Sequence, residues 1–188
     1  TWEVGVPATG PSTNALGRRA HAGTNCAATV LGGNYAYTDS RLISPVFGVP
    51  EAEQVPRLRY WQWYDVGGDT AQVEVRVAGT SNWVALSAEQ ANSSGVWSSS
   101  EVDLRAYAGQ SVQVAFRLSG GGGRAGWYVD EVTVVTGTPQ PPLPNVAESF
   151  EQGLGDWVVQ GGTWEVGKPT GSAHAGANCA ATVLGGNY

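Results

Sequence analysis

Apolar and polar residues alternate over short stretches of this chain, and the alternation predicts strands. The clearest run is 70–78 (TAQVEVRVA), with Val73, Val75 and Val77 on one face and Gln72, Glu74 and Arg76 on the other. That is the pattern of a strand with one buried face. Residues 111–119 (SVQVAFRLS) repeat it, with Val112, Val114, Phe116 and Leu118 directed inward. Residues 57–66 (RLRYWQWYDV) also alternate: Leu58, Tyr60, Gln62 and Tyr64 point one way, and Arg59, Trp61, Trp63 and Asp65 the other. Aromatics on both faces mean either a strand covered on both sides or one face given to binding. Further strands are predicted at 1–6, with Trp2 and Val4 on one face, and at 26–31, 83–86, 101–104 and 127–135. Residues 41–47 form another, placed at an edge or strand end by Pro45. No stretch of ten residues has helical periodicity, and the turn signals come at the spacing of an all-β sandwich.

The intervening segments read as loops. Residues 7–20 are rich in Pro, Gly, Ser and Asn; 88–100 form a polar loop holding Trp97; Asp65 and Asp69 flank Gly67 and Gly68 as a turn. Residues 120–123 are four consecutive glycines, a flexible tip. A glycine loop that cradles phosphate must open a helix, and a strand follows here, so that reading falls.

One stretch occurs twice. TWEVG stands at 1–5 and 163–167, and HAG(T/A)NCAATVLGGNY at 21–35 and 174–188, differing only in Thr24 against Ala177. Thr1 and Thr163 are 162 apart and His21 and His174 are 153 apart, so the first copy carries nine more residues in the loop between. Insertions of that kind survive on surface loops. Residues 136–144 (TGTPQPPLP) read as a semi-rigid proline linker. The frame is then a repeat at 1–135 lacking its first strand, the linker, and the N-terminal part of the next repeat at 145–188. The segment 147–160 has no counterpart before Thr1, so residues 148–159 are expected to donate a strand to a sandwich, within one chain or between chains.

Composition narrows the function. The 188 residues include 27 Gly, 10 Pro and 8 Trp, which suits β-structure with many turns. Charged residues are 14% and the net charge is −6, with no basic run, which argues against nucleic acid or an anionic membrane surface as partner. No apolar run approaches the roughly 18 residues of a membrane span. Cys26 and Cys179 occupy equivalent positions. They read as small buried apolar residues, or as an inter-repeat cross-link.

In order, the motifs SFEQGLGDW, TWEVG, HAGANCAATVLGGNY, DSRLISP, LRYWQWYD, VEVRV with SNW, VDLRAYAGQSVQVAFRL and GWYVDEV resemble the bacterial MAM-like jelly-roll modules called choice-of-anchor J domains. Similar modules sit in immune-inhibitor-A-type secreted metalloproteases. The resemblance implies a two-sheet antiparallel jelly-roll sandwich of concanavalin type on a secreted or surface protein. It further implies a structural Ca²⁺ held by Asp130 and Glu151, with Asp39 as a further ligand and carbonyls from 22–25 or 175–178. Ca²⁺ asks for six to eight oxygens.

Other chemistry is thin. One histidine per repeat, His21 and His174, five residues before a cysteine, is two ligands short of a zinc site. No nucleophile elbow, HExxH or paired-carboxylate motif is present, so no catalytic residue is assigned. Trp61, Trp63, Trp97 and Tyr128 (with Tyr64) are the residues that could stack on sugar rings. The reading is a non-catalytic structural or adhesive repeat of a long extracellular protein, assembling with neighbouring repeats into fibres. The alternative is a glycan- or protein-binding accessory module of a secreted multidomain enzyme. A cleft lined by Trp with polar neighbours favours the module; a contact between units of about 1,000 Å² or more favours the fibre.

Overall fold

The computed structural model describes residues 2–13, 17–138, 148–154, 157, 159 and 164–185. Most of the linker at 136–144 and the start of the second copy lie outside these residues. The strands are β1 (Glu3–Gly5), β2 (Cys26–Ala28), β3 (Thr38–Ile43), β4 (Phe47–Gly48), β5 (Arg57–Val77), β6 (Val84–Ala85), β7 (Gln90–Ser93), β8 (Ser98–Asp103), β9 (Ser111–Gly120), β10 (Gly126–Val135), β11 (Glu165–Gly167) and β12 (Cys179–Ala181). Every pairing between them is antiparallel. The fold is an all-β sandwich, as the alternation predicts.

One strand makes both layers. The pattern predicts two strands joined by a Gly67–Gly68 turn, but β5 runs unbroken for 21 residues. Its first part pairs with β10 and β8, and its second part pairs with β9 and β6. Gly67, at φ 59, and a register shift opposite β7 bend the strand where it passes from one layer to the other. Asp69 is therefore no turn residue. It accepts hydrogen bonds from Tyr35 Oη at 2.6 Å and Gly122 N at 2.9 Å. The glycine run at 120–123 is pinned by that bond and by Gly123 N to Tyr35 O at 2.8 Å, rather than a free tip. The loop expected at 88–100 contains β7 and the start of β8, because its serines pair with β5 although they lack apolar alternation.

The two layers enclose the main core. Leu58, Tyr60, Tyr64 and Val66 from one half of β5 meet Val73 and Val75 from the other, with Val112, Val114, Phe116 and Leu118 of β9 and Trp127 and Val129 of β10. Trp127 is fully buried, and its Nε1 donates to Gln62 Oε1 at 3.0 Å. Gln62 Nε2 in turn donates to Ser100 Oγ at 2.8 Å, so the buried amide is satisfied at both ends. On the outer face of the second layer Arg41 and Arg117 flank the buried Glu74 carboxylate. Arg41 and Arg76 also approach the Trp83 ring.

A smaller cluster fills the opposite face of β5: Trp63, Tyr128, Cys26, Ala28 and Ala20, with Trp97 and Leu31 against it. The long loop of the first copy closes over it. A Cβ on Gly10 would fall 2.4 Å from the Tyr128 ring, so only glycine lets the backbone lie there. Aromatics on both faces of 57–66 thus mean a strand covered on both sides.

Candidate functional site

A β-bulge organises the site. The register of β10 against β5 shifts between Asp130 and Thr133, and Glu131 takes φ 48. Bulges re-aim side chains at strand ends. Here Asp130 Oδ2 accepts Ala22 N at 3.1 Å, and Glu131 pairs with His21. The loop carrying His21 is thereby fixed over β5. The imidazole stacks on Trp61 with centroids 3.7 Å apart and planes 14° apart, and meets Trp97 edge-on at 5.9 Å. Trp97 is oriented by its Nε1, which donates to Arg19 O at 2.9 Å.

These rings border a cleft of about 690 Å³. Its walls include Trp61, Trp63, Trp97 and His21, the hydroxyl residues Ser12 and Thr13, Arg18, and residues 152–154 with Glu165 and Val166 of the second copy. The arrangement suits a ligand with one apolar face and polar edges.

Of the four aromatics singled out from sequence, Trp61 and Trp97 reach the cleft as half-buried side chains and Trp63 lines it while 8% exposed. Tyr128 corrects the expectation. It is 0% exposed beneath the loop, with Trp63 edge-on at 5.3 Å, and desolvation raises its phenol above the usual range. His21 was the residue sequence reasoning passed over. Its place in the site comes from the contact with Glu131, 110 positions along the chain.

The proposed Ca²⁺ ligands do not come together. Asp39 lies on β3 and is bound by Arg117 at 2.8 Å, which lowers its carboxyl pKa. Asp130 is held by Ala22 N. Glu151 sits on the loop of its own copy, where Ala177 N and Asn178 N donate to its Oε1 at 2.9 and 2.8 Å. That loop meets the carboxylate with N–H donors, the opposite polarity from the carbonyl oxygens Ca²⁺ takes. Among the described residues no group of three His, Cys, Asp or Glu could hold a metal. The three carboxylates therefore do not form a single calcium site in this arrangement.

Both cysteines are free thiols. Cys26 is 4% exposed, and burial, reinforced by the Asp130 charge, pushes its thiol up to about 12. Cys179 is half-buried. The fold uses Cys26 as a small apolar residue, and a cross-link through it requires this cluster to open. Of residues 148–159, from which a donated strand is expected, 155, 156 and 158 lie outside the described residues, and 148–154 form a turn with no strand assigned. Phe150 instead packs its ring 5.8 Å from Trp157, which is 54% exposed.

No family model matches the chain. Over 138 residues, 71% of its length, it is 36% identical to Bacillopeptidase F of Bacillus subtilis (strain 168), and the match spans 9% of that protein. The chain is thus similar to a small part of the curated relative it matches. Solved structures that align with part of the chain include TmCBM61 in complex with beta-1,4-galactotriose, at 18% identity and TM-score 0.43, covering 72% of this chain and 88% of that one. Another is the K3 cleaved adhesin domain of Lys-gingipain from Porphyromonas gingivalis, at 18% identity and TM-score 0.41, covering 71% and 91%. A family 16 carbohydrate binding module aligns at 15% identity and TM-score 0.38, covering 62% and 79%. No helix among the described residues is long and apolar enough to cross a membrane.

Proposed function

We propose that this chain is a non-catalytic accessory binding module of an extracellular multidomain protein, and that its ligand is a glycan. The observation that carries this reading is the cleft in which Trp61, His21 and Trp97 stand together beside hydroxyl and guanidinium groups. Sugars present a C–H face that packs on aromatic rings and hydroxyls that take hydrogen bonds from the rim. The long relative supports the accessory role: the matched stretch is 9% of a protein named as a peptidase. The finer kinship with MAM-like jelly-roll modules rests on the ordered motifs, and the extracellular setting follows from that kinship.

The test is a glycan array with the wild-type chain, followed by calorimetry on the best ligand. Trp61→Ala is expected to weaken binding about two- to tenfold, the loss of one aromatic contact of ~0.5–1.5 kcal/mol. Trp83→Ala, on the outer face of the other layer, should leave binding unchanged. If the wild-type chain binds no glycan, or if Trp61→Ala binds as well as wild type, the reading is wrong.

A further inference from the structure

The first sandwich ends beside the start of its longest strand. Val135, the last residue of β10, pairs with Arg57, the first of β5. Two residues further on the chain is held again. Gly137 N donates to Gln54 O at 2.7 Å, and Gly137 O accepts from Arg57 Nη1. Both backbone groups of Gly137 are thus bonded to the segment that leads into β5. Gly137 has φ 90, and a Cβ there would meet nothing within 4 Å. The glycine is required by the backbone turn and not by lack of space.

The segment that holds Gly137 is itself strained. A 3₁₀ turn, Ala52–Gln54, ends on Val55 at φ 50. For a β-branched residue that conformation is costly, and it persists only where the surroundings over-determine it. Here two neighbouring carbonyls find their partners at one place. Gln54 O takes Gly137 N, and Val55 O takes Arg57 Nη1 at 3.1 Å. Arg57 Nε donates to Glu101 Oε2 at 2.6 Å, and the Arg57 side chain is only 13% exposed. One guanidinium therefore joins β8, the strained turn and the residue beyond β10. Its fork serves several acceptors at once, and bonds from a charged donor are stronger than neutral ones.

We propose that residues 51–57 are a strap that clamps the chain where it leaves the sandwich, so that it exits in one fixed direction through Gly137. Thr136 and Gly137 then belong to the sandwich, although their composition groups them with the proline linker. Arg57 and Trp61 lie on the same face of β5, so the strap ties the exit to the strand that carries the cleft. A ligand in the cleft is held at a set angle to that exit. This last consequence rests on the cleft being the binding site; the clamp does not.

Amide hydrogen exchange and backbone NMR relaxation of the full 188-residue chain test the strap, with circular dichroism melts to confirm that each variant folds. In wild type the Gly137 amide should be protected, and 136–137 should be as ordered as β10, with order parameters of about 0.85. Arg57→Ala should speed exchange at Gly137 about tenfold or more and bring those order parameters below about 0.6, while the amides of β9 keep their protection. Gly137→Ala disturbs the backbone turn alone and should release 136–137 in the same way. Glu101→Gln keeps an acceptor for Arg57 Nε and both carbonyl bonds, so it should leave Gly137 protected. A Gly137 amide that exchanges freely in wild type would overturn the proposal. So would protection unchanged by Arg57→Ala, or lost as fully in Glu101→Gln. A chain that binds no glycan would remove the cleft reading and leave these outcomes as they are.

Discussion

The two copies of TWEVG and its partner strand differ in surroundings far more than in structure. β1 pairs with β2 as Glu3↔Ala28, Val4↔Ala27 and Gly5↔Cys26, and β11 pairs with β12 in the equivalent register, Glu165↔Ala181, Val166↔Ala180 and Gly167↔Cys179. The same side chain clamps both: Leu31 N donates to Glu3 Oε2 at 2.7 Å, and Leu184 N to Glu165 Oε2 at 2.8 Å. Register and clamp are thus properties of the repeated residues. Burial is not. Cys26 is 4% exposed and Ala28 0%, while Cys179 and Ala181 are half-buried. Trp2 packs 6.1 Å from Trp127, and its counterpart Trp164 is 44% exposed. The difference is β10, which covers one edge of β2, while among the described strands β12 pairs with β11 alone.

The strongest way to break this comparison is to remove what only the first copy has. Trp127→Ala empties a fully buried site and leaves Gln62 without its indole donor. Cavity formation of this kind costs about 3–5 kcal/mol. Urea unfolding should show a loss of that size, and the environment of Cys26 should then approach that of Cys179. A loss below about 1 kcal/mol would mean that the first sandwich does not depend on β10 as described.

The thiols offer a milder comparison in the unmodified protein. The thiolate is the reacting species, and Cys26 is held as the thiol by burial with its pKa pushed up to about 12. With a maleimide or a disulfide reagent near pH 8, Cys179 should react roughly tenfold or more faster than Cys26. In denaturant the two rates should converge. Mass spectrometry of the digested products reads both sites at once, and equal rates in the native protein would contradict the buried placement of Cys26.

The contrast also separates what can be read from residues from what cannot. Alternation in 70–78 and 111–119 places Val73, Val75, Val112, Val114, Phe116 and Leu118 in the core, because a period of two has one reading there. Residues 57–66 carry aromatics on both faces, and no local pattern says whether a loop covers the second. Tyr128 therefore reads as a binding residue, whereas the loop backbone at Gly10 covers its ring, and Trp63 reaches the cleft with little of its surface exposed. The strand-long bend at Gly67 was hidden for a related reason. Two glycines flanked by Asp65 and Asp69 make good turn chemistry, and only pairing with Tyr35 and Gly122 shows Asp69 inside the architecture. His21 became a site residue through a contact 110 positions away with Glu131, which spacing does not reveal.

A smaller effect concerns pH, and it too belongs to the first copy. Tyr35 and then Gly122 donate to Asp69 and hold its carboxyl below the usual carboxylate range. A pKa lowered on folding contributes stability that is present above the unfolded value and lost as pH falls through the folded one. Asp69→Asn should cost about 1 kcal/mol at pH 7, the size of one hydrogen bond, with a smaller difference from wild type at strongly acid pH. Thermal melts from pH 7 down to pH 2 check the sign. A difference that grows on acidification would remove the Tyr35–Asp69 contact from the account.

The smallest expected effect is the most local, and it asks whether equal geometry means equal energy. Glu3 and Glu165 make the same bond to the same backbone position, at 2.7 and 2.8 Å. Replacing either by Gln keeps the acceptor oxygen and removes the charge, which is worth about 0.5–1 kcal/mol in a bond of this kind. β1 is joined through β2 to β10 and the sandwich, so the Glu3→Gln loss should appear in the global unfolding transition. β11 and β12 pair only with each other among the described strands, so Glu165→Gln should leave that transition unmoved. It should instead raise amide exchange at Leu184 alone, since local opening there is uncoupled from the main core. If both substitutions shift the global midpoint equally, the second hairpin unfolds together with the sandwich, and the contrast between the copies is one of exposure and not of cooperativity.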